Sequence, residues 1–114
     1  MPSSSPLAAF KAEFFKALAH PVRIRILEIL GTGDRSVQEL QEALRLDQPA
    51  VSQQLAVLRA KNIVTSSKSG TSVRYAVRDP LIRDLLDVAR RIFNNQLIGS
   101  QSMLRELRGE RSRR

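Results

Sequence analysis

The residues in this 114-residue chain best suited to chemistry form one run of amides and hydroxyls followed by one run of cations. Gln48, Ser52, Gln53 and Gln54 fall on one side of a helical stretch from Gln48 to Lys61 that contains no acidic residue. Gln makes paired hydrogen bonds to the adenine edge in the major groove, and Ser bonds either to a base edge or to a phosphate. Arg59 and Lys61 close the same stretch and suit phosphate oxygens, which set register and carry little sequence information. A second basic segment follows: Lys68, Ser69, Gly70, Thr71, Ser72 and Arg74 surround a turn, where Gly70 allows close approach to a duplex. Each feature alone also fits an ordinary solvated surface. Together, with a formal charge of +8, they point to double-stranded DNA.

Other chemistries find little support. The chain has no Cys and one His, which excludes disulfides, thiolate metal sites and thiol nucleophiles. No phosphate-cradling glycine pattern occurs, and Asp and Glu are scattered at helical spacing, so no enzyme is expected. The opening Met1-Pro2-Ser3-Ser4-Ser5-Pro6 has no charged, apolar leader pattern, and no run reaches the roughly 18 apolar residues of a spanning helix. A cytoplasmic protein with no membrane partner is expected.

These side chains need a scaffold. One domain is expected at this length, preceded by a disordered arm (1–6) and followed by a frayed basic tail (105–114). Leu7, Phe10, Phe14 and Leu18 recur at helical spacing. His20-Pro21 breaks that helix and opens a second, to Leu30, which buries Val22, Ile26, Ile29 and Leu30 and stops at Gly31-Thr32-Gly33. Ser36 and Glu39 form a capping box for a short third helix carrying Val37, Leu40 and Leu44 inward. Asp47 caps the fourth helix, about 48–60, whose Val51, Leu55 and Leu58 face the core. Two extended segments, 63–67 and 72–77, flank the glycine turn as a β-hairpin. Asp79-Pro80 opens a last helix, about 80–98, with Asp79 as another cap.

A capped helix, a tight turn and a polar, acid-free second helix make up a helix-turn-helix, and the hairpin is its wing. The expected architecture is mainly α with a small β-hairpin, a winged helix-turn-helix in the order α-α-α-α-β-β-α across residues 7–104. Its first and last helices carry surplus apolar surface, at Phe10, Phe14, Leu85, Ala89, Ile92 and Phe93, and this predicts a homodimer.

The segments Ala19-His20-Pro21-Val22-Arg23-Ile24-Arg25-Ile26-Leu27 and Pro49-Ala50-Val51-Ser52-Gln53-Gln54-Leu55-Ala56-Val57-Leu58-Arg59 resemble the ArsR/SmtB family of bacterial regulators. The likeness spans Phe10 to Leu97. It implies a dimer whose first and last helices pair across a two-fold axis, an inverted-repeat operator, and repression lifted by an inducer. It also puts Pro49 and Ala50 in the DNA-binding surface beside the residues above.

Family metal sites use cysteines before the reading helix or Asp, His and Glu on the last helix. Here Val37–Glu42 has no thiol, and Asp79, Asp84 and Asp87 come with no histidine. No intrinsic transition-metal site of that kind and no cofactor are expected. The signal is left open between a small-molecule or protein inducer, a separate sensor or co-regulator subunit bringing its own metal, and none. A non-specific DNA binder and a protein-interaction module are the competing readings.

Overall fold

The computed structural model describes residues 5–97 and 100–112, in two compact units divided between Asp79 and Pro80. The N-terminal unit contains α1 (Pro6–Leu18), α2 (Pro21–Leu30), β1 (Arg35–Ser36), α3 (Val37–Leu44), α4 (Gln48–Ala60), β2 (Val64–Ser69) and β3 (Ser72–Val77). The C-terminal unit contains α5 (Leu81–Gln96) and α6 (Gln101–Ser112).

Local capping sets the helix boundaries. Ser5 Oγ accepts from the Ala8 amide at 3.0 Å, so α1 begins at Pro6, inside the segment expected to be an arm. Residues 1–4 of that arm lie outside the described residues. His20 caps α2 by accepting the Val22 amide on Nδ1 at 3.1 Å. Gly31 ends α2 in a right-handed conformation, and the positive φ falls instead at Gly33 (148°). The Ser36–Glu39 capping box is present in both directions: Glu39 N to Ser36 Oγ at 3.1 Å, and Ser36 N to Glu39 Oε1 at 2.9 Å.

Ile26, Leu27, Leu30, Leu40, Leu44, Val51, Leu55, Leu58, Ile63 and Val64 are buried in the N-terminal unit. Leu27 joins this core while Val22 and Ile29 are only half-buried. The reason is that α2 packs against α1, α3, α4 and β3. A helix with neighbours on several sides buries adjacent positions, which a single-stripe reading misses.

The sheet has three strands, in the order β1-β3-β2, all antiparallel. β1, with two residues, is too short to leave a periodic signal. It pairs Arg35 with Tyr75 and Ser36 with Arg74, fastening the hairpin to the start of α3.

The structure corrects two expectations at the C-terminal end. Pro80, not Asp79, occupies the N-cap of α5, and no side chain caps it. Pro80 is itself right-handed helical and its carbonyl accepts from Arg83 at 3.1 Å, so the first turn starts one residue later than a cap at Asp79 requires. Residue 98, the expected end of this helix, lies outside the described residues. The tail expected to fray from 105 is helical through Ser112 as α6. Its Leu, Arg, Glu, Gln and Met are strong helix formers, and Leu104 is buried.

Candidate nucleic-acid interface

The helix-turn-helix consists of α3, a three-residue turn, and α4. Arg45 takes a left-handed conformation (φ 57°), and the Leu46 amide reaches back to the Gln41 carbonyl at 3.2 Å. This turn delivers Asp47 to the N-cap of α4, where its Oδ1 accepts the Ala50 amide at 3.1 Å. The one acid adjoining the reading helix is therefore spent on its cap. Pro49 fits the first turn because it has no amide to leave unsatisfied.

Gln48 Nε2 donates to Ser52 Oγ at 2.6 Å, one helical turn further along the same face. The pair leaves Gln48 with a free acceptor oxygen and Ser52 with its hydroxyl proton. Adenine presents that combination of donor and acceptor in reverse at its major-groove edge. Gln53 is exposed beside them, while Ala50 and Gln54 are half-buried. The predicted reading residues thus lie in the first half of α4, with Gln48 and Ser52 already joined. Arg59 stands exposed in the last turn.

From there the chain turns straight into the wing. Asn62 adopts φ 60°, its amide donates to the Arg59 carbonyl at 3.0 Å, and the Ile63 amide to the Leu58 carbonyl at 3.0 Å. This is a Schellman ending, completed by the buried pair Leu58 and Ile63. An Asn just past a helix end is a recognisable signal for it, and the sequence reading passed over it. In the wing, Ser69 pairs with Ser72 across a two-residue loop in which Gly70 has φ 65°. A positive φ at the first central residue is what a type II′ hairpin turn asks of glycine. Lys68, Ser69, Gly70, Thr71 and Ser72 are all exposed, and the strands carry no acid.

Two predicted phosphate contacts are occupied differently. Lys61 Nζ lies 3.3 Å from Glu13 Oε1 on α1, and Lys16 approaches the same carboxylate at 3.5 Å. The Lys61 hydrogen bond and the Lys16 charge hold Glu13 below the usual carboxylate range. Arg74 is turned inward from the wing. Its Nη2 lies 3.3 Å from Asp34 Oδ1 and 3.1 Å from Glu39 Oε1, and it also donates to the Asp34 carbonyl at 3.1 Å. The Asp34 hydrogen bond first, then the Glu39 charge, raises the Arg74 pKa. Glu39 is lowered, chiefly by the Ser36 amide and further by Arg74. Arg74 therefore braces β3 against the capping box of α3. Asp34 and Glu13 are partners that sequence spacing could not supply.

Among the described residues no group of three or more His, Cys, Asp or Glu could hold a metal ion. No helix among them is long and apolar enough to cross a membrane.

The family model for bacterial regulatory proteins of the arsR family matches residues 20–66, from the α2 cap to the first wing strand. The chain is 45% identical over 106 residues to the uncharacterised HTH-type transcriptional regulator Rv0081 of Mycobacterium tuberculosis, covering 92% of this chain and 93% of that protein. The chain belongs to the ArsR/SmtB family. A second relative, the HTH-type transcriptional regulator NmtR of M. tuberculosis, is 41% identical over 88 residues, 77% of this chain and 73% of that one.

Solved structures agree on the winged helix-turn-helix of the ArsR/SmtB regulators. The crystal structure of Rv0081 superposes with a TM-score of 0.77 at 46% identity, over 84% of this chain and 97% of that one. A Mycobacterium bovis fragment, described as a homodimeric winged helix-turn-helix DNA-binding domain of a possible ArsR-family regulator, superposes with a TM-score of 0.73. It is 25% identical over 85% of this chain and 94% of the fragment. This chain is accordingly a transcriptional regulator with a winged helix-turn-helix DNA-binding domain, and not an enzyme.

Proposed function

We propose that this regulator acts as a homodimer on an inverted-repeat operator, reading bases with the first half of α4 and gripping phosphates with the wing. The observation that carries the reading is the acid-free start of α4, where the exposed Gln48 and Gln53 and the half-buried Ser52 stand together beyond the Asp47 cap. Pro49, Ala50 and Gln54 complete that surface. Arg59, with Lys68, Ser69, Gly70, Thr71 and Ser72 on the wing, is assigned to the DNA backbone. Lys61 joins them when the exposed Glu13 pair opens, since such pairs contribute little stability in water. Arg74 acts indirectly, by holding the wing to α3.

Dimerisation is supported by apolar surface left uncovered within the chain. Phe10 is 72% exposed, Ile92 50%, Phe93 49% and Leu85 36%; Phe14 is half-buried, edge-on to Phe15 at 5.4 Å, and Ala89 is half-buried. Exposed apolar surface of this kind marks association sites. The homodimeric state described for the M. bovis fragment is in keeping with it. A two-fold pair would set two reading helices about one turn of DNA apart, roughly 34 Å. The signal is not a transition metal bound in the usual family manner. The segment Val37–Glu42 has no thiol, and the one histidine commits Nδ1 to the α2 cap.

Fluorescence anisotropy against the upstream promoter and a scrambled duplex, at two salt concentrations, tests the reading. Promoter binding should be the tighter, and should weaken steeply with salt as counterions are released. Gln53→Ala should lower promoter affinity by about 1 to 3 kcal/mol and leave scrambled DNA nearly unaffected. Lys68→Ala should weaken both together. An equal loss on both duplexes for Gln53→Ala would remove it as a base reader.

A further inference from the structure

The C-terminal unit holds an open cleft of about 340 Å³ between α5 and α6 that the DNA reading leaves without a role. Arg90, Arg91 and Arg108 line it together with Asp87, Asn94, Asn95 and Leu107, and a second carboxylate, Glu110, approaches Arg90 from α6. Arg90 is 7% exposed, its Nη1 donating to the Leu107 carbonyl at 3.2 Å and lying 3.7 Å from Glu110 Oε1. A guanidinium is thus built into the floor by a contact that ties α6 to α5. Arg91 reaches Asp87 at 3.3 Å but keeps 76% of its side chain exposed, so its fork can turn to a ligand at little cost.

We propose that this cleft binds a small metabolite bearing two or more oxyanion groups, carboxylate or phosphate. Guanidinium forks match both groups in paired hydrogen bonds, and the asparagine amides add donors and acceptors that distinguish one anion from another. The volume lies at the small end of ligand pockets, which run from about 300 to 1,000 Å³, so it suits a small metabolite. The site is also independent of the proposed dimer surface. At about 100° per residue, the α5 stripe of that surface, Leu85, Ala89, Ile92 and Phe93, is centred roughly half a turn from Asp87, Arg90, Arg91 and Asn94. A partner seated on the stripe leaves the cleft open.

Isothermal titration calorimetry on the full chain, with citrate and with pyrophosphate at constant ionic strength, tests this. Saturable binding of at least one anion is expected, and the stronger of the two reports whether the natural group is carboxylate or phosphate. Arg91→Gln combined with Arg108→Gln should weaken it at least tenfold, while Lys68→Ala, on the wing, should leave it unchanged. Arg91→Lys, at a position too exposed to disturb folding, keeps the charge but loses the fork, and should give a smaller loss. Absence of saturable binding, or equal affinity in the double variant, would overturn the proposal. Neither result bears on DNA binding, which the anisotropy experiment measures separately.

Discussion

The two units of this chain spend their apolar residues in opposite ways. Up to Asp79, leucine, isoleucine and valine from three helices and the wing close on one another, and Ile26, Leu27, Leu40, Val51 and Leu58 are fully buried. From Pro80 on, Ile82 and Leu104 are the buried apolar side chains among the described residues and Arg90 is a buried charged one, while Leu81, Val88, Ile92, Phe93 and Met103 stand at least 49% exposed. A surface that reads base edges needs its side chains held by a closed core. A surface that recruits a second copy needs apolar area left open. The division of labour follows from where burial stops.

Core truncation tests the closed half most severely. Leu55→Ala, at a position 1% exposed on the inner face of α4, should cost about 3 kcal/mol of unfolding free energy in urea titration. A loss below about 1 kcal/mol would mean the N-terminal unit is not closed as described. Ile92→Glu probes the open half, and its effect should fall on association. The dimer should weaken about a hundredfold, close to 3 kcal/mol, by sedimentation equilibrium, with little change in the helical content of the monomer. An unchanged dimer constant would detach the α5 stripe from the interface.

The smallest expected effect sharpens the contrast within the closed half. Glu39 has its pKa lowered by the Ser36 amide and Arg74. A lowered carboxylate contributes stability that is present above its ordinary value of 4.5 and lost as pH falls through the lower folded value. Glu39→Gln should therefore be slightly less stable than the parent at pH 7, and the two melting curves should converge below about pH 4.5. Curves that stay equally separated at acid pH would remove the charge of Glu39 from the bracing of the wing.

Most of what the local chain dictates was legible before any coordinates. The N-caps expected for α3 and α4 are the observed ones, because Ser36, Glu39 and Asp47 satisfy amides within three residues of themselves. The hairpin was legible from alternation around Gly70, though its first strand runs on to Ser69, closer to the turn than expected. What escaped was either too short, like β1, or masked by charge, like Leu104 in α6. The Schellman ending at Asn62 was within reach of the sequence and was missed.

In the candidate site, the same division holds between near and far. Residue order alone determined that Gln48, Ser52 and Gln53 share a helix face without an acid, since a helix brings together positions three and four apart wherever it forms. Only the tertiary structure decided that Lys61 meets Glu13, 48 residues earlier, and that Arg74 meets Asp34, 40 residues earlier. Those pairs depend on α1 packing on α2, which packs on α4, and on β1 joining β3. No local periodicity encodes them, because a salt bridge is fixed by where two chain segments are brought, and the buried aliphatic core does the bringing.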